Sequence, residues 1–135
     1  YSDPKAWDSR YSNDLSPYEW FADWPLIKSV VREYISHKCN ILHIGCGTSN
    51  LGDHLISDGY KEVVNIDASE TVIQSRTNSK HCTCKYQRVD VRQMDVFATS
   101  EFDAIIDKGT IDSLMVGTSV VGTSILLRVF RESDP

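Results

Sequence analysis

Apolar residues recur every three or four positions from Trp20 through Phe21, Trp24, Ile27, Val30, Val31 and Tyr34 to Ile35, the spacing of one buried helix face. Ser16, Pro17 and, three residues after the serine, Glu19 supply a helix start with a capping box. Pro25 is expected to distort that helix or divide it. Beyond residue 37 the pattern changes to short apolar runs. Asn40–Ile44 reads as a buried strand broken by Gly45-Cys46-Gly47, and Leu51–Ser57 as a short helix ended by Asp58-Gly59. Residues 62–66 form a second strand stopping at Asp67. A helix then starts with Ser69 as its cap, carries Val72 and Ile73, and ends near Thr77-Asn78-Ser79. Residues 85–89 and 102–106 are the third and fourth strands, ending at Asp90 and Asp107. Residues 125–130 are apolar enough for the buried face of a last helix. Gly117-Thr118-Ser119 returns as Gly122-Thr123-Ser124, an echo too short for a structural repeat.

Strands alternating with helical segments imply right-handed crossovers and a parallel sheet with helices on its faces. The fold class is therefore α/β, doubly wound and Rossmann-like. At 135 residues, with 41% hydrophobic and 24% charged residues, the chain makes one domain. Within it, 1–37 form an aromatic N-terminal cover and helix, 38–114 a ligand-binding core, and 115–135 part of a C-terminal helix. The first 17 residues are rich in Asp, Ser, Asn and Pro yet contain Trp7, Tyr11 and Tyr18, so they are expected to pack against something. Nineteen acids against fourteen Lys and Arg give a net charge of -5, which argues against a protein that binds nucleic acid directly through its phosphates. No apolar run approaches the roughly 18 residues of a membrane span, so a soluble, cytoplasmic setting is expected. Cys39, Cys46, Cys82 and Cys84 read as free thiols. His81-Cys82-Thr83-Cys84 lacks a second ligand pair at zinc-finger spacing, reads as a turn into a strand, and no metal is expected.

The run from Ile41 to Asn50 is a strand entering a glycine turn that opens a helix. Without Cβ atoms, Gly45 and Gly47 let a ligand lie against the backbone, where free helix amides favour polar or anionic groups. Asp67 ends the next strand 22 residues after Gly45, close to the roughly 20-residue spacing at which an acid meets a ribose. Its carboxylate only accepts, so two neighbouring ribose hydroxyls can each donate to it. A nicotinamide dinucleotide and S-adenosylmethionine both suit such a site. The dinucleotide fingerprint asks for a third glycine where Asn50 stands, whereas Asp90 and Asp107 bring further polar residues to the same carboxyl edge of the sheet.

The chain resembles the class I S-adenosylmethionine-dependent methyltransferases, and among them the methyltransferase-like subgroup whose described members modify lysines or termini of translation elongation factor 1A. The matching segments are Ala6-Trp7-Asp8-Ser9-Arg10-Tyr11, Pro17-Tyr18-Glu19-Trp20-Phe21, Ile44-Gly45-Cys46-Gly47-Thr48-Ser49, Asn65-Ile66-Asp67-Ala68-Ser69, Asp90-Val91-Arg92-Gln93-Met94 and Ile106-Asp107-Lys108-Gly109-Thr110-Ile111-Asp112. The resemblance implies a protein-lysine methyltransferase that uses S-adenosyl-L-methionine and releases S-adenosyl-L-homocysteine. By it, Gly45, Cys46 and Gly47 flank the methionine part, Asp67 takes the ribose hydroxyls and Ala68 lies beside the adenosine. Asp90 accepts from the adenine amino group, the Val91 amide faces a ring nitrogen, Trp7, Tyr11 and Trp20 close over the cofactor, and Lys108 contributes from the opposite side. Asp107 and Lys108 are the catalytic candidates, by positioning ahead of general-base chemistry, with Asp112 a further acid near the methyl group. His43, where many class I enzymes have an acid, reads as a packed or hydrogen-bonded histidine. The family sheet has seven strands, and this chain is expected to supply the first four, leaving the fourth near an exposed edge open to self-association. A non-catalytic cofactor-binding module and, behind it, a nicotinamide-dependent oxidoreductase remain as alternatives.

Overall fold

The computed structural model describes residues 3–16, 23–79, 83–98, 100–108, 110 and 125–129. Nine elements follow in chain order: α1 (Pro4–Asn13), α2 (Trp24–Tyr34), β1 (Asn40–Ile44), α3 (Leu51–Ser57), β2 (Glu62–Asp67), α4 (Glu70–Thr77), β3 (Lys85–Arg88), β4 (Ala104–Lys108) and β5 (Ile125–Val129). The sheet order is β3-β2-β1-β4-β5, with β1 to β4 parallel and β5 antiparallel to β4. From β1 the chain steps outward to β2 and β3 and then returns to the other side of β1 for β4. The order therefore reverses between β1 and β4, and in open α/β sheets the ligand crevice lies at the carboxyl ends of the strands at such a reversal.

Two expectations are corrected. Residues 125–129 form a strand instead of a helix, because a short apolar run carries no decisive period and pairing supplies the backbone partners that the outer side of β4 would lack. The edge of β4 is accordingly covered by β5, and the self-association expected at that edge has no open strand there. The first residues form helix α1, begun by Asp3, whose carboxylate accepts from the Lys5 amide at 3.0 Å, with Pro4 in the first turn. For α2, the described helix begins at Trp24 and Pro25 lies in its first turn, where the missing N–H costs no helical bond. The expected start at 17–22 lies outside the described residues, as do Tyr18, Trp20, His81, Cys82, Asp112 and the glycine echo. Among the described residues Cys39, Cys46 and Cys84 are free thiols, and no helix is long and apolar enough to cross a membrane.

Two apolar layers hold the sheet. On one face Trp24, Ile27, Val31 and Ile35 of α2 and its end pack with Leu51 and Leu55 of α3 onto Ile41, Val63, Ala104 and Ile106. On the other, Leu42, Ile44 and Ile66 meet the segment after β3 through Val89, Val91, Met94, Phe97 and Phe102, and the two phenylalanine rings meet edge to face at 5.1 Å. The alternation along β1 follows from the pleat, which sends Ile41 and Leu42 to opposite sides.

The amino edge of the sheet is braced by charge. Arg32 donates two bonds to the Asp58 carboxylate, Nε at 2.9 Å, and His37 Nε2 lies 3.2 Å from the same group. The His37 ring stacks on Tyr60 at 4.3 Å, and the Tyr60 hydroxyl donates to the Ile35 carbonyl at 2.6 Å. These contacts tie the end of α2 to the turn before β2. The Arg32 guanidinium beside Asp58 holds its carboxyl down at about 2.

Candidate functional site

At the carboxyl edge, β1 runs into Gly45 (φ 58°) and Gly47 (φ 49°), both in the left-handed region that side chains disfavour. The Cys46 amide donates to the Ile66 carbonyl at 2.9 Å, which pins the turn to β2. Cys46 is buried, and burial pushes its thiol well above the usual range, so it is a packed residue and not a nucleophile. A side chain at either glycine would meet its neighbours. A methyl at Gly45 would lie 1.6 Å from the Thr110 hydroxyl, and one at Gly47 would lie 2.6 Å from the Tyr11 hydroxyl.

Asp67 connects the turn to the next element. It is 9% exposed, accepting from the Gly47 amide through Oδ2 and from the Ser69 amide through Oδ1, each at 2.9 Å. Among the described residues it has no cationic partner. Burial therefore dominates and raises its carboxyl above the ordinary range, against the pull of the two amides. Two carboxylate oxygens hold about four acceptor sites, so acceptor capacity remains beyond those two bonds. An acceptor-only group at this strand end fits vicinal hydroxyls of a ribose, and the glycine turn fits an extended polar chain lying on backbone. The donor set is thus suited to an adenosyl cofactor.

The helix α1 covers this turn. Tyr11, 8% exposed, lies on Gly47, and Trp7 stacks on Tyr11 at 5.9 Å while the Arg10 guanidinium sits 5.6 Å from the Trp7 ring. Burial, then the charge of Asp67, pushes the Tyr11 phenol far up. A cavity of about 70 Å³ remains between α1 and the turn, lined by Arg10, Tyr11, Asp14, Ser16, Cys46, Gly47 and Thr48.

Ala68 is half-buried, its carbonyl accepting from Arg88 Nε at 3.2 Å. Asp90 is one residue past Val89, whose amide donates to the Asp67 carbonyl at 3.0 Å. Its carboxylate is held by Arg92, Nε to Oδ1 at 3.0 Å and Nη2 to Oδ2 at 2.7 Å, which keeps it ionised below the usual range. Val91 is half-buried against the lower apolar layer. Asp107 and Lys108 end β4, 2% and 5% exposed, and Asp107 pairs with Ile44 across the sheet. Asp107 Oδ1 accepts from the Thr110 amide at 2.8 Å while the Thr110 hydroxyl donates to the Ile44 carbonyl at 3.2 Å. Tyr11, Gly47 and Asp67 thus form one contact group and Gly45, Asp107 and Thr110 a second, on either side of Cys46. His43 is buried with Nδ1 2.9 Å from Asn65 Oδ1, the hydrogen-bonded histidine expected.

Other residues that shape the site were not singled out from the sequence. Arg76 of α4 reaches back with Nη2 to the Thr48 carbonyl, to the Ser49 carbonyl at 2.8 Å and to Asn50 Oδ1 at 3.1 Å, fixing the exit of the glycine turn. Gly52 gives the close helix-to-sheet approach that a dinucleotide fold takes from a third glycine: a methyl there would be 2.6 Å from Asn65 and 2.9 Å from Cys84 Sγ. A lone glycine inside an apolar helical run was the available signal. Arg76 left none, being an ordinary basic residue in a last helical turn.

The parallel sheet, its reversal between β1 and β4, and the glycine turn facing a buried strand-end acid define an α/β protein built to hold a nucleoside-bearing ligand. A family model described as a methyltransferase domain matches residues 41–119, more than half of the chain, and the chain belongs to that family. It is 32% identical over 121 residues to EEF1A lysine methyltransferase 4 of Bos taurus, covering 87% of this chain and 47% of the relative. It is 35% identical over 118 residues to the eEF1A lysine and N-terminal methyltransferase of Mus musculus, covering 85% of this chain and 17% of that one. The chain therefore spans about half the length, or less, of the curated relatives it matches. Among solved structures, the glycopeptide N-methyltransferase MtfA complexed with S-adenosyl-L-homocysteine shares the fold, with TM-score 0.53 and 16% identity over 84% of this chain and 50% of that one.

Proposed function

We propose that the chain binds S-adenosyl-L-methionine and forms the cofactor-holding part of a protein-lysine methyltransferase acting on a translation elongation factor of the 1A type, in the cytoplasm. The observation that carries this reading is Asp67, a buried acceptor with no cationic partner among the described residues that is bonded to the glycine turn of a methyltransferase-family domain. Gly45, Cys46 and Gly47 take the methionine part, Asp67 the ribose hydroxyls, and Ala68, Asp90 and Val91 the adenine side. Arg92 holds the Asp90 carboxyl below its ordinary value, which favours the ionised acceptor. Trp7, Tyr11 and Trp20 form the cover, whose aromatic faces favour a sulfonium and exclude water.

When bound, the cofactor supplies a methyl group already activated on sulfur. The protein's remaining task is to place a neutral lysine amine in line with it. Asp107 fixes the Thr110 turn against Gly45, and Lys108 follows it, so this pair positions the acceptor end of the cleft. Incubation with labelled S-adenosyl-L-methionine and elongation factor 1A is expected to label lysine, and an unlabelled acceptor would overturn the catalytic part of this reading.

A further inference from the structure

Asp8 lies between the two aromatic residues of α1, and through it that helix is tied to the ribose side of the site. Its Oδ1 accepts from the Ser69 hydroxyl at 2.5 Å and from the Thr71 amide at 3.3 Å. The same serine hydroxyl accepts from the Val72 amide at 3.3 Å, and the Ser69 amide donates to Asp67 at 2.9 Å. One residue therefore links Asp67, the start of α4 and α1. The first amides of a helix have no partner within it and favour negative charge. Here they are capped twice, by the helix's own serine and by a carboxylate from another helix. The Ser69 hydroxyl is also the main cause of the lowered Asp8 carboxyl, against its partial burial.

Tyr11 follows Asp8 by three residues and so shares its side of α1. The tie to Ser69 thus sets where the Tyr11 ring comes down on Gly47, and Trp7 stacks on that ring. We propose that Asp8 is the latch of α1: by anchoring the helix to Ser69 and Thr71 it holds Trp7 and Tyr11 over the glycine turn. Asp8 is a positioning residue, acting on the cofactor through the two rings. The assignment rests on the adenosyl reading of the site.

The test measures hydrogen exchange of the α1 amides in the free protein and S-adenosyl-L-homocysteine affinity by calorimetry, for the wild type, Asp8→Ala, Asp8→Asn and Ser69→Ala. Asp8→Ala is expected to speed exchange across Pro4–Asn13 about tenfold while β1 and β2 keep their protection, and to weaken affinity about tenfold, equivalent to about 1.4 kcal/mol. Asp8→Asn keeps an acceptor oxygen and is expected to recover affinity to within about threefold of wild type. The Asp8→Ala and Ser69→Ala effects on α1 exchange should be less than additive in the double variant, since the two share one contact, while Ser69→Ala also removes the cap on the Val72 amide. Unchanged α1 exchange in Asp8→Ala, or loosening spread evenly over the sheet, would overturn the latch. A wild type that does not bind S-adenosyl-L-homocysteine overturns the reading of the site instead, and the exchange data then decide the latch alone.

Discussion

Two acids, Asp58 and Asp67, occupy opposite ends of the same sheet. Asp58 is half-buried and Asp67 is buried, 9% exposed, and their carboxyls move in opposite directions. Asp58 faces Arg32 and His37 and is pulled down to about 2, whereas Asp67, which has no cationic partner among the described residues, is raised by burial against its backbone amides and further by the nearby Asp8 carboxylate. An acid matched to a cation is a fastening. An acid buried without one is costly to the free protein and retains acceptor capacity, which is the pattern of a functional site. Asp58 thus fastens the amino edge, and Asp67 is the acid that the proposed function assigns to the ligand.

The strongest way to break this division is Gly45→Ala, which forces a side chain into left-handed backbone and onto Thr110. It is expected to cost about 2–5 kcal/mol in denaturant unfolding and to remove S-adenosyl-L-homocysteine binding in calorimetry. Next comes Asp67→Asn. Asn keeps one acceptor oxygen but loses the charge, so losing at least one charge-assisted bond to a hydroxyl, about 1.5–3 kcal/mol, is expected to weaken S-adenosyl-L-homocysteine by about 10- to 100-fold while melting stays cooperative. Asp58→Asn should do the reverse, lowering the melting temperature by about 3–6 °C with affinity within about twofold.

Acid titration separates the two ends without mutation. On the proposed reading cofactor binding uses the Asp67 carboxylate, whose protonation begins above the ordinary value of 3.8 because burial raises it. Affinity should therefore fall first as pH drops, in a regime where the neutral acid makes the free protein no less stable. The Asp58 contribution is present above the ordinary carboxylate value and is lost only as pH falls from there toward about 2. Calorimetry and thermal melting across the acid range check that order, and simultaneous loss of both would remove the distinction.

Much of the carboxyl edge was legible in the chain because its chemistry is local. The glycines of the turn, Asp67 at the strand end and the Ser69 cap sit beside abrupt changes of period, and the structure places β1, α3 and α4 where those changes fall. What spacing hides is contact across the fold. Asp8 to Ser69, Arg76 to the Thr48 and Ser49 carbonyls, and Arg32 to Asp58 each join residues more than twenty apart. No local pattern marks them. Residues 125–129 misled for the opposite reason: five residues fit helix or strand equally, and only the partner β4 decides.

The ligand that the Asp67 site takes decides between an adenosyl cofactor and a dinucleotide. Melting curves of the chain should be recorded side by side with S-adenosyl-L-homocysteine and with NAD, each at saturation. Binding at about 100 times the dissociation constant adds about 2.7 kcal/mol, so S-adenosyl-L-homocysteine is expected to raise the midpoint by roughly 10 °C, with no shift from NAD and a clearly smaller shift for Asp67→Asn at the same ligand concentration. An equal or larger shift with NAD, or no shift with either, would contradict the adenosyl reading.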